Sequence, residues 1–157
     1  MTAGGWTGGS IKDDDYYEKV RQMNEVNLYP SLLAAHLATK YMVSGGLVSF
    51  TGAAAVYKEP QPDMLAYALS KAGVHYLATA LAEKAQDFDG RVVTILPGVI
   101  DTQTNRDGMP KADFSTWANP EHIGGLLLGW IEGLNTPANG SFVELKVKKG
   151  GLETEFL

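Results

Sequence analysis

The 157-residue sequence contains no cysteine, which excludes disulfide scaffolds, iron–sulfur clusters, thiol nucleophiles and cysteine-ligated zinc together. It has no run of ~18 uninterrupted apolar residues, the length needed to span a bilayer. Its start, Met1-Thr-Ala-Gly-Gly-Trp6, has neither the basic flank nor the apolar stretch of a secretory signal. No membrane association is expected, and the cytoplasm is the expected location. Long basic runs are absent as well. Thirteen Lys and Arg against eighteen Asp and Glu leave a net charge of −5, which disfavours nucleic acid as a partner. The three histidines, His36, His75 and His122, fall on separate predicted helices without ligand-like spacing, so no metal site is expected.

What is present suits one domain with a sizeable core: 45% hydrophobic and 20% charged residues. The eighteen glycines cluster at Gly4–Gly9, Gly45–Gly46 and Gly150–Gly151 as loop punctuation. Asp13, Asp14 and Asp15 precede a helical pattern running to about Met42, where carboxylates would suit the positive end of the helix dipole. Pro30 lacks an N–H for the carbonyl of Val26, so a kink is expected there, with acceptors freed near Val26 and Asn27. Leu47–Thr51, Val92–Leu96 and Ser141–Val147 read as buried strands. Between the first two, a helix from about Asp63 to Gln86 is apolar on nearly every face, which predicts burial by the sheet on one side and by a partner subunit on the other. Asn119-Pro120-Glu121 reads as an N-cap followed by proline at the first helical position, opening a helix to about Leu134.

Alternating helices and strands imply right-handed crossovers: an α/β architecture with a parallel sheet and helices on its faces. Three full strands are few for such a sheet, so a part missing at the front is expected. Leu47–Thr51 would then be an apolar edge strand.

Tyr67-Ala-Leu-Ser-Lys71 carries the most chemistry. Positions four apart on a helix share a face, so a phenol and an ammonium enter the same space. The positive charge should lower the tyrosine pKa and make Tyr67 a proton donor near neutral pH, while Lys71 can hold a ribose hydroxyl. By itself the pair also fits a solvated helix face. Glu144 and Lys146 are most simply solvent-facing strand residues, and Asp101 either orients Thr102 or caps a turn.

In its context after a buried strand, on an apolar helix, and ahead of Pro97-Gly98 at the next strand end, the pair resembles the short-chain dehydrogenase/reductase family. Asn27 matches that family's helix asparagine, whose kinked backbone holds a water in the proton relay. Pro97-Gly98-Val-Ile-Asp-Thr102 matches its nicotinamide-contacting element, and Ala3-Gly4-Gly5 resembles the end of its Asn-Asn-Ala-Gly strand. Where most members carry a catalytic serine this chain has Gly52-Ala-Ala-Ala55. Ala53 in that place narrows the resemblance to the dihydropteridine reductases, which Ala3-Gly-Gly-Trp-Thr-Gly-Gly9, His36-Leu-Ala-Thr-Lys40, Ile100–Arg106 and Met109–Trp117 also resemble.

This resemblance implies one partial Rossmann-like domain over 1–157 and reduction of quinonoid dihydropteridine (dihydrobiopterin) to the tetrahydro form by NADH or NADPH. Tyr67, Lys71 and Asn27 would be catalytic. Trp6 and Tyr67 would bind the pterin, and Lys71, Pro97, Gly98, Thr102 and Gly4 the cofactor. Asp107–Trp117 would close on the substrate or be a plain surface connection, and Trp6 could instead be an ordinary buried tryptophan. Dimerisation would use the two long helices. The family's Gly-x-x-x-Gly-x-Gly turn, which binds pyrophosphate at a helix N-terminus, does not occur in the sequence, so the resemblance implies only the carboxy-terminal portion of that fold, beginning at the end of what would be its fourth strand. Weak NADH binding by this chain alone is therefore expected. Two alternatives stand beside the reductase: a truncated, non-catalytic chain that associates with full-length subunits, and a carbonyl reductase of the same superfamily, disfavoured by Ala53.

Overall fold

Apolar β-branched runs between glycine-containing turns form three parallel strands, β1 Gly46–Thr51, β2 Gly90–Pro97 and β3 Phe142–Lys148. The computed structural model describes residues 2, 4–148 and 151–157. The expected roles of Ala3 and of the Gly150 turn lie outside the described residues. Thr51 faces Ile95 across the first ladder, and Pro97 faces Leu145 across the second. The expectation of three strands is corrected by a fourth, β4 Gly151–Phe156, antiparallel to β3, which gives the order β1-β2-β3-β4. Its Leu152, Thr154 and Phe156 alternate with glutamates, the period-2 pattern of a half-covered strand. β1 is an edge strand, as expected.

The long first helix divides into α1 Tyr16–Met23, a π-helical segment Asn24–Leu28 and α2 Tyr29–Tyr41. Pro30 supplies the cause, since it removes one donor from the ladder and crowds the preceding turn. The carbonyl expected to be free at Asn27 instead accepts the Ser31 hydroxyl at 2.8 Å. The aspartates ahead of α1 act as ion-pair partners: Asp13 and Asp15 hold Lys19 at 3.0 and 2.8 Å, and Asp13 also accepts the Ser10 N–H. After β1 come a short helix α3, Ala54–Lys58, too brief to show periodicity in the sequence, and then α4, Leu65–Ala82. The connection after β2 holds α5 Gln103–Gly108, a 3-10 turn Phe114–Thr116 and α6 Pro120–Ile131. Asn119 caps α6 as predicted, its side chain accepting the Glu121 N–H at 2.7 Å.

Both sheet faces are covered, which explains the near-continuous apolar reading of β2. Val93 and Ile95 join Val143, Leu145, Ile123 and Trp130 under α6. Val92 joins Val48, Phe50, Val74, Ala78 and Ala35 under α2 and α4. The turn into β3 matches its Asn-Gly signature: Gly140 sits at φ +83° and donates to the Val92 carbonyl, while Asn139 accepts the Val92 N–H.

One strand residue departs from expectation. Glu144 is 7% exposed, not solvent-facing. Its neighbours Val143 and Leu145 point toward α6, so Glu144 turns to the opposite face, where Lys58 of α3 meets it at 2.5 Å and Lys146 at 3.6 Å. No described helix is long and apolar enough to cross a membrane.

Candidate active site

The parallel strands all end on one edge of the sheet, the edge where open α/β folds bind ligands. At the end of β1, Lys71 reaches from α4 and donates to the Thr51 carbonyl at 2.9 Å. Its side chain is 5% exposed, and its Nζ lies 6.0 Å from the Tyr67 ring centroid. The helical spacing therefore brings phenol and ammonium together as predicted. Tyr67 is half-buried.

The electrostatics differ from expectation. Burial pushes the Tyr67 phenol up to about 12 and the Lys71 ammonium down to about 8. Desolvation disfavours the charged form of each group, and at this separation it outweighs their mutual attraction. Tyr67 is thus firmly a phenol at neutral pH, the form that can give a proton.

The third residue, Asn27, lies in the π-helical segment and is 1% exposed. Its Oδ1 accepts the Gly5 N–H at 3.0 Å, and its Nδ2 donates to the Gly5 carbonyl and to Ser70 Oγ, both at 3.1 Å. Ser70 in turn donates to the Tyr67 carbonyl at 2.7 Å. Asn27 therefore ties the glycine segment to the turn of α4 that carries Tyr67. Gly4 is required by space: a Cβ there would lie 2.8 Å from Asn27 Oδ1 and 3.5 Å from Lys71 Nζ. A strip of bare backbone passes directly over both polar side chains.

At the end of β2, Pro97 is buried and Gly98 exposed. Thr102 is exposed and caps α5, accepting the Asn105 N–H at 3.3 Å. Asp101 neither orients Thr102 nor caps a turn, since it forms a two-pronged ion pair with Arg106 at 2.6 and 2.8 Å. Trp6 is 65% exposed, which removes the reading of an ordinary buried tryptophan. Its indole N–H donates to Met64 Sδ at 3.3 Å. The stretch 107–117 is short helical turns and connection, with Arg106 over the Phe114 ring at 4.7 Å. Two clefts of about 170 and 500 Å³ lie beside Trp117 and beside Trp130, and Tyr67 and Lys71 line neither.

Sequence reasoning missed His75. Its Nε2 accepts the Ala53 N–H at 3.2 Å, and its ring packs against Tyr57 and Phe142. The signal was available, because 67, 71 and 75 continue one four-residue ladder along α4.

Residues 2–112 match the sequence pattern of the short chain dehydrogenase family. A dihydropteridine reductase from Dictyostelium discoideum is 34% identical over 149 residues, 93% of this chain and 64% of that protein. A cyclic-di-GMP-binding biofilm dispersal mediator protein from Escherichia coli is 28% identical over 126 residues, 74% of this chain and 52% of that protein. Among solved structures, a short chain dehydrogenase from Burkholderia cenocepacia in complex with NADP superposes with a TM-score of 0.73 at 20% identity, covering 95% of this chain and 62% of that one. The chain thus spans less than two thirds of the length of these relatives.

Proposed function

The chain belongs to the short-chain dehydrogenase family, and from that membership we propose that it serves the reduction of quinonoid dihydropterin to tetrahydropterin, with NADH or NADPH as reductant. One observation carries the reading: Tyr67 and Lys71 stand a helical turn apart at the carboxyl end of the sheet, where Lys71 meets the Thr51 carbonyl two residues before Ala53. The 34% identity to the Dictyostelium reductase supports the pterin as substrate.

The residues present fit the nicotinamide half of such a cofactor. Gly4 offers side-chain-free backbone where a Cβ would come within 3.5 Å of Lys71 Nζ, and Lys71, Pro97, Gly98 and Thr102 all lie at the ends of β1 and β2. When bound, the dinucleotide supplies the hydride. Tyr67 donates the accompanying proton to the pterin. Its phenol is fully protonated at neutral pH, and the phenolate left behind is stabilised by the Lys71 charge. Asn27 holds the glycine strip and, through Ser70, the Tyr67 turn in register. Exposed Trp6 offers a flat indole for the pterin ring.

A second reading rests on the outward faces of α2 and α4. Leu33 is 59% exposed, Leu37 45%, Leu69 50% and Tyr76 78%. Side chains of this kind favour association, either with a second copy or with a longer subunit. A carbonyl reductase remains the lesser rival, because Ala53 offers no hydroxyl to a carbonyl oxygen.

Oxidation of NADH and of NADPH by the chain, followed against quinonoid dihydropterin, 7,8-dihydropterin and a simple ketone, tests the reading. Turnover above background with the quinonoid form alone is expected. Turnover with the ketone alone would overturn it.

A further inference from the structure

His75 lies four residues beyond Lys71 on α4, and the two side chains bracket one glycine. Lys71 Nζ donates to the carbonyl of Thr51, His75 Nε2 accepts the N–H of Ala53, and between them the Gly52 N–H donates to the Ile95 carbonyl at 2.9 Å. The chain leaves β1 with these three consecutive residues held by three separate partners. The imidazole occupies the space beside the glycine, since a Cβ on Gly52 would lie 2.4 Å from Nε2.

The chemical types match their tasks. A carbonyl needs a donor, and an ammonium is one. An amide N–H needs an acceptor, and imidazole accepts only while uncharged. The surroundings keep it so: burial first, and then the positive charge of Lys71, push His75 down to about 4. The groups around the ring are Lys71 on its own helix, Tyr57 from α3 with ring centroids 5.9 Å apart, and Phe142 from β3 at 5.7 Å. Tyr57 also packs on Phe142 at 5.0 Å, and the next residue, Lys58, pairs with buried Glu144. The whole segment from Gly52 to Lys58 is thereby fastened to α4 and β3.

We propose that His75 is a positioning residue, whose uncharged imidazole fixes the Gly52–Ala53 corner so that the alanine methyl and α3 form a rigid wall beside Tyr67 and Lys71. The proposal rests on the reductase reading for its purpose but not for its geometry, and the two separate in the test.

The 15N-labelled chain is compared with His75→Phe, which keeps an aromatic ring without an acceptor, and His75→Gln, which restores one. In the unaltered chain the His75 ring is expected to show an unprotonated Nε2 and a protonated Nδ1 from pH 5 to 9. Exchange of the Ala53 amide should quicken at least about tenfold in His75→Phe and stay within about threefold in His75→Gln. In the pterin assay His75→Phe should lower kcat by about tenfold with KM for NADH nearly unchanged, as expected when a reacting centre is misplaced, and His75→Gln should recover most of it. A protonated Nε2, equal Ala53 exchange in both variants, or faster exchange with unaltered kcat would each overturn the proposal. If the unaltered chain and Tyr67→Phe turn over equally, the reductase reading falls, while the ring nitrogens and the amide still decide whether His75 holds the corner.

Discussion

Helix α4 departs from the usual rule at one turn of each face. Its inner face buries Ser70 and Lys71, at 0% and 5% exposure, whereas its outer face leaves Leu69 half exposed and Tyr76 at 78%. Burying a polar or charged side chain is costly unless each of its groups finds a partner. Here Ser70 is held between Asn27 and the Tyr67 carbonyl, and Lys71 by Thr51. The inner face is therefore organised by hydrogen bonds aimed at one corner of the sheet. Nothing on the outer face requires such partners, and its apolar surface is available for association. Under the proposed function a single helix carries the chemistry on one face and an exposed apolar surface on the other, and changes on one face should leave the other intact.

Lys71→Met should break the inner face most severely. Turnover should fall by roughly 10²–10⁴-fold, the usual range for losing a group that assists proton transfer, while the sedimentation behaviour set by the outer face stays unchanged. Asn27→Ala comes next. It strands the Gly5 N–H and Ser70 Oγ, and urea unfolding should show a loss of roughly 2–3 kcal/mol. If stability were untouched, Asn27 would not be tying the inner face to the glycine strip.

Titration sharpens the contrast further. Lys71 ionises at about 8 when folded and at 10.5 in its ordinary state. Between these values the unfolded chain binds more protons, so the Lys71 contribution makes stability rise with pH across that interval. Activity should move the opposite way, falling as the ammonium is lost above about 8. For His75, about 4 when folded against 6.5, the stabilising contribution is complete above pH 6.5 and is lost as pH falls toward 4. Chemical unfolding from pH 4 to 10 and a pH–rate profile check both signs.

On the outer face, Leu69→Glu with Tyr76→Glu should dissociate any dimer in analytical ultracentrifugation yet change unfolding free energy by no more than about 0.5 kcal/mol. A large loss of stability would mean that this face belongs to the monomer's own core. The smallest effect is expected from Thr102→Ala, which removes the cap of the six-residue α5 and should raise KM for NADH only a few-fold.

Legibility in the sequence followed the range of each signal. Asn119-Pro120 announces a helix start because cap and first turn are adjacent, and Pro30 announces a break for the same reason. Tyr67 and Lys71 are readable because helical geometry alone sets their proximity. Glu144 was misread because its partner, Lys58, is 86 residues away, and alternation along one strand cannot reveal what the facing element supplies. β4 carries the right alternation, but its two glutamates among six residues leave little apolar signal. The direction of the Tyr67 shift was likewise beyond sequence, which shows the neighbouring charge but not the burial that overrides it. His75 shares the four-residue spacing of Tyr67 and Lys71, but its partner, the Ala53 N–H, lies 22 residues away and on another element.

The inner face is assigned a single task, the gift of a proton from Tyr67, and the rate of quinonoid dihydropterin reduction with NADH by the chain and by Tyr67→Phe measures that task most directly. A loss of at least about 100-fold at pH 7, without change in circular dichroism, is expected for a proton donor. Equal rates above background in the two proteins would contradict it.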